Sequence, residues 1–260
     1  MCLGHGRMLE PPSRASAWRL GWSTPIDYND NEGFCGGFSH QYSVNDGKCG
    51  ICGDPWDANP RQHEAPDGEY ATGTLVRQYI QGQTLTLTID ITANHMGHFE
   101  VRICPDPHIE ATQECLDQHQ LSLADGSGNN FNISLEVGLH TAHYLLPPTL
   151  VCQHCVLQWR YVTGNSWGVC EDGTGAIGCG AQEEFRACAD VTVLPPSPRS
   201  RLALRTPVLT PVKTPVDHSQ APVSRTPVKP SPTPIKTPVD LSQAPVKPSL
   251  AYVPPTPVKQ

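Results

Sequence analysis

Long apolar runs are missing from this 260-residue chain. No stretch approaches the roughly 18 residues that a spanning helix needs, so a transmembrane helix is excluded. Basic residues are in deficit, 18 Lys+Arg against 25 Asp+Glu, for a formal net charge of -7. Nucleic acid is therefore not expected as a partner, because phosphate binding needs a concentrated basic face. No segment sustains a 3.6-residue apolar period, which excludes a helical bundle. What the chain has in quantity is proline and cysteine, 27 and 11 residues, and the two are kept apart.

Residues 195–260 contain no Cys, Gly or Trp and a single aromatic, Tyr252, yet they hold 17 of the prolines. The unit Thr-Pro-Val-Asp-x-Ser-Gln-Ala-Pro-Val occurs at 214–223 and again at 237–246. Proline at this density removes backbone donors and fixes φ, so neither helix nor sheet propagates. A disordered or polyproline II tail, low in complexity and rich in Pro, Thr, Val and Lys, is expected. Charge splits at the same point: the tail has nine cations and two acids, +7, against nine and 23 before it, -14. The tail reads as a solvated linker, an O-glycosylated stalk or a tether to an acidic matrix.

All cysteines precede the tail. Setting aside Cys2 leaves Cys35, Cys49, Cys52, Cys104, Cys115, Cys152, Cys155, Cys170, Cys179 and Cys188, an even number that predicts five disulfides of unknown pairing. The CxxC pairs 49/52 and 152/155 have spacing that zinc would also accept, but six further cysteines then go unexplained. Disulfides imply an oxidising compartment, and Asn132-Ile133-Ser134 is an N-glycosylation acceptor, which fits secretion. Residues 1–4 are too short for a signal peptide. Cys2-x-Gly4 has the small-x-small pattern of a cleavage site, so these residues are expected to be a signal remnant cut after Gly4. His5 then becomes the first residue, and the odd cysteine is lost with the remnant.

Residues 84–91 alternate polar and apolar, the period-2 signature of a half-buried strand. Residues 99–103, 131–135, 156–161 and 185–193 are further strand candidates, while 56–69 is turn-rich and reads as loop with room for short helices. The expected architecture over 5–194 is all-β: an immunoglobulin- or fibronectin-III-like antiparallel sandwich with loop and short helical insertions, pinned by disulfides.

Of eleven histidines, His40, His63, His108, His119 and His218 sit among polar residues and are expected at the surface. His140/His143 and His95/His98 have i, i+3 spacing, weak as a metal signal. A terminal His5 is different. Its α-amine deprotonates readily on metal binding and forms a chelate with its own ring. With one more imidazole this gives three nitrogens in a plane, an arrangement that favours copper over zinc.

Here the sequence resembles a known family. His5-Gly-Arg-Met-Leu-Glu-Pro-Pro-Ser-Arg, Gly33-Phe-Cys-Gly-Gly37, Cys49-Gly-Ile-Cys-Gly-Asp-Pro55, residues 92–105 and residues 183–190 are similar to the lytic polysaccharide monooxygenases of auxiliary activity family 15. The resemblance covers His5 to about Leu194. It implies a secreted enzyme with one copper ion cycling between Cu(II) and Cu(I), using O2 or H2O2 and an external electron donor to cleave insoluble chitin or cellulose, acting as a monomer. By position it implies His5 and His95 as ligands, with His98 as competitor for the second. Phe185 falls at the axial position, Ala93 beside the metal, and Glu183 or Glu184 around it. Trp18, Trp22, Tyr28, Trp56 and Trp167 offer either core packing or a sugar-stacking platform. The alternative is a non-catalytic polysaccharide- or copper-binding module of the same fold.

Overall fold

The computed structural model describes residues 5–105 and 110–197; the expected remnant 1–4 and nearly all of the tail lie outside them, as do His108 and His218. Two sheets face each other. One contains β1 (His5–Glu10), β3 (Thr84–Ala93), β7 (Gly138–Leu145) and β5 (Ser122–Leu123), in the order β1-β3-β7-β5. The other contains β2 (Arg77–Ile80), β11 (Glu184–Leu194), β8 (Cys152–Val162), β4 (His98–Pro105) and β6 (Phe131–Asn132), in the order β2-β11-β8-β4-β6. Residues 113–117 form the one α-helix of the described residues, α1, with Thr112 accepting the Cys115 N–H as its cap. The β-sandwich is as expected, with one departure: β2 runs parallel to β11, where an antiparallel sheet was anticipated.

The alternation in β3 buries Leu85, Leu87, Ile89 and Ile91, and these meet Phe99, Trp159, Tyr161, Tyr144 and Phe185 from the other strands. Strand β11 is different, being buried along almost its whole length. Its inner positions, such as Phe185 and Ala189, enter the sandwich core. Its outer positions Glu184, Arg186 and Asp190 are polar, and are covered by loops that supply partners: Arg14 grips Asp190 at 2.7 and 2.8 Å, and Gln113 accepts from Arg186. A buried ionic face needs such pairing, since an unpaired charge there is strongly destabilising.

All ten cysteines after Cys2 are joined: Cys35–Cys49, Cys52–Cys188, Cys104–Cys115, Cys152–Cys155 and Cys170–Cys179. The first CxxC sends its two sulfurs to different partners, while the second closes on itself. The candidate strand 131–135 pairs only at Phe131 and Asn132, because the Ser134 carbonyl is taken by the Asn94 side chain. Segment 56–69 has turns and no helix. No helix among the described residues is long and apolar enough to cross a membrane.

Candidate metal centre

One end of the sandwich gathers the start of β1, the end of β3, the start of β4, the end of β8 and the start of β11. Register brings His5 opposite Ala93 across β1 and β3. The chain then turns through Met96 and Gly97, both at positive φ (56° and 94°). Glycine is required at 97, where a Cβ would stand 2.0 Å from the Val162 carbonyl oxygen. The Met96 N–H donates to Asn94 Oδ1 at 2.7 Å, and Asn94 Nδ2 donates to the carbonyls of Ser134 and Glu136.

His95 is fixed on three sides. Its N–H donates to Tyr161 Oη at 3.0 Å, its carbonyl accepts the Gly164 N–H at 2.9 Å, and its Nδ1 lies 3.2 Å from Glu183 Oε2. The residue is 7% exposed. Burial pushes the Tyr161 hydroxyl up to about 12, so it stays protonated at neutral pH. A carboxylate on Nδ1 sets the tautomer and leaves Nε2 for a ligand. The His5 ring sits 6.5 Å from the Phe185 ring and 6.4 Å from Phe34, while Phe185 stacks on Tyr161 at 5.6 Å. Phe185 is fully buried. It supplies an apolar wall and no donor atom.

Strand parity separates the two glutamates. Glu183 and Phe185, two apart, share the side that faces His95 and His5; Glu184 points the other way, into Arg160 and Arg186 at 2.5 to 3.0 Å. His98 begins β4, with Nε2 3.4 Å from Glu100, in a ladder of Glu100 with Arg102 and Arg160. His140 and His143 fall on opposite faces of β7, since their separation is odd.

Two residues escaped sequence reasoning. Glu32 Oε1 lies 3.7 Å from His5 Nε2, held by a loop whose Asn31 carbonyl accepts the Gly6 N–H and whose Asn31 side chain donates to Thr92. No local signal marks it, because the contact is set by tertiary packing. His63, expected at the surface, is instead half-buried between Asp27 and Asp54.

Of the aromatic candidates, Trp22 packs against the core, whereas Tyr28 and Trp167 are largely exposed. Trp167 lies on a separate two-stranded hairpin, β9 (Trp167–Val169) and β10 (Gly175–Ile177), closed by Cys170–Cys179. Register puts Trp167, Val169, Gly175 and Ile177 on one face. Gln182 fastens the root of this hairpin through Ser166 N, Ser166 O and Cys179 O.

Among the described residues, no group of three or more His, Cys, Asp or Glu side chains is arranged to hold a metal. His5 and His95 contribute two imidazoles at this end of the sandwich. The donor chemistry fits copper: imidazole nitrogens, each ring with a carboxylate toward one edge.

Residues 5–191 match the family model described as lytic polysaccharide mono-oxygenase, cellulose-degrading. A solved auxiliary activity family 15 lytic polysaccharide monooxygenase from Thermobia domestica, in the Cu(I) state, is 45% identical with a TM-score of 0.70. The match covers 73% of this chain and 99% of that one. A chitin binding domain from Burkholderia pseudomallei, 16% identical over 74% of this chain and 100% of its own, has a TM-score of 0.44, too low to compare folds. No curated protein matches the chain.

Proposed function

Because the chain belongs to the lytic polysaccharide monooxygenases, of the auxiliary activity family 15 type, we propose that His5 and His95 hold its single copper ion. The enzyme is a copper-dependent oxidoreductase acting on polysaccharide with an external electron donor. The His5 α-amine is the third nitrogen, which requires processing after Gly4; the family match beginning at His5 supports that start. When bound, copper supplies the redox and oxygen chemistry of glycosidic cleavage.

The residues around it have separate tasks. The amine and Nδ1 of His5 would hold the ion, with Nε2 left toward Glu32. Glu183 holds the His95 ring, and Tyr161 holds the backbone on which that ring is carried. Phe185 keeps water from the buried side. The observation that carries this reading is the pairing of His5 with Ala93, two residues before His95, with a carboxylate beside each of the two imidazoles. The apolar face of the 167–177 hairpin, rooted beside His95 and Glu183, is suited to lie on pyranose rings of chitin or cellulose. Secretion accords with five disulfides, and residues 5–194 form the catalytic domain.

Mass spectrometry of the secreted protein and electron paramagnetic resonance after copper loading test the assignment. A mature start at His5 and a type 2 signal with nitrogen coupling, lost in His95→Ala, are expected. An unchanged spectrum in that variant would move the second ligand elsewhere.

A further inference from the structure

Residues 11–76 form a layer with little regular structure, and its interior is polar. There the His63 ring lies between two carboxylates: Nδ1 is 2.9 Å from Asp54 Oδ1, and Nε2 is 3.0 Å from Asp27 Oδ2. Both Asp side chains are 7% exposed and the His63 side chain is 18% exposed. Tyr70 stacks on the ring at 4.7 Å and 18°. Asp54 Oδ2 accepts the His63 backbone N–H, and Arg14 donates to the His63 carbonyl at 2.7 Å. A cavity of about 300 Å³ beside the ring extends to Glu32 and Phe34, the residues that face His5.

Two carboxylates on opposite edges of one imidazole are both satisfied only if both ring nitrogens carry hydrogen, that is, as imidazolium. A neutral ring would leave one of these two buried carboxylates opposed to a lone pair, which is costly. Asp27 in turn roots the next segment. Its Oδ1 accepts the Asn29 N–H at 2.9 Å, its carbonyl accepts from Trp18 Nε1, and Asn31 beyond it bonds Gly6.

We propose that Asp27, His63 and Asp54 form a charge lock that fixes segment 27–34 against the start of β1 and releases it when His63 loses its proton. The other charged or titratable groups nearby are Arg14, paired with Asp190; Arg61 and Glu64, paired with each other; Arg186, across the cavity and paired with Glu184; Asp30, paired with Arg19; Glu32, beside His5; and Tyr70, whose hydroxyl burial pushes up. None of these replaces a carboxylate on the ring. Burial lowers the ring's hold on its proton, but the hydrogen bonds and charges of Asp27 and Asp54 outweigh it and push the imidazole up to about 9. The stabilisation is therefore complete below the free-imidazole value near 6.5 and is lost as pH rises through about 9.

The test uses the intact chain without metal, so its outcome is independent of the copper assignment. In 13C-histidine-labelled protein, the His63 resonance, identified by its loss in His63→Gln, should titrate with a midpoint above about 8, where ordinary histidines have finished. Amide exchange in residues 27–34, corrected for intrinsic rates, should speed up about tenfold per pH unit between roughly 6.5 and 9, because the open form releases the proton. A midpoint below about 7, or protection that ignores pH across that interval, would overturn the lock.

Discussion

Replacing Cys52 and Cys188 together by alanine should be the most damaging disulfide deletion in this protein. The bond ties the loop layer to β11 across a separation of 136 residues. Chain-entropy reasoning gives about 5 kcal/mol for a loop of that length, against about 1.6 kcal/mol for the three-residue separation of Cys152–Cys155. A typical domain has only about 5–15 kcal/mol in total, so the first variant should be barely folded and the second nearly normal. Urea unfolding followed by tryptophan fluorescence measures both. The mechanism makes a second demand: the reduced cross-linking expands the denatured chain, so the slope of stability against urea should steepen in the Cys52/Cys188 variant. Equal losses in the two variants would refute the loop-length reasoning.

Three other outcomes are expected. Glu183→Gln keeps the shape beside His95 but removes the charge; copper affinity by calorimetry should fall about 10- to 100-fold with the melting temperature little changed. Tyr161→Phe strips the acceptor from the buried His95 N–H, which should cost about 1–3 kcal/mol in chemical denaturation and alter the copper spectrum. Glu100 is opposed by burial, but hydrogen bonds from His98 and Arg102 and the charges of Arg102 and Arg160 hold its carboxyl down to about 2. Its contribution is complete above the ordinary carboxylate range and disappears as pH falls toward 2, so acid melting should be less steep in Glu100→Gln.

Where residues alternate cleanly, the strand could be read directly: β3 shows it, and β4, β8 and β11 follow from their apolar cores. β1 could not be read that way. It buries only Gly6 and Met8 among its six residues, and its extended state comes from pairing with β3. In β7, His140 and His143 have an i, i+3 spacing that would align them on a helix, whereas the segment is extended and the true period is two. The choice between Glu183 and Glu184 depends on where β11 begins, which local pattern leaves open by one residue. Asp27 and Asp54 approach His63 from 36 and nine positions away, so a histidine among polar neighbours reads as exposed until the chain is folded around it.

The hairpin at 167–177 pairs with neither main sheet and carries its own cross-link. Such an appendage is a natural exchange cassette: its sequence can drift, or be swapped in the laboratory, without re-registering any strand that bears a ligand. Preference for one polymer over another could then evolve separately from the oxidative chemistry.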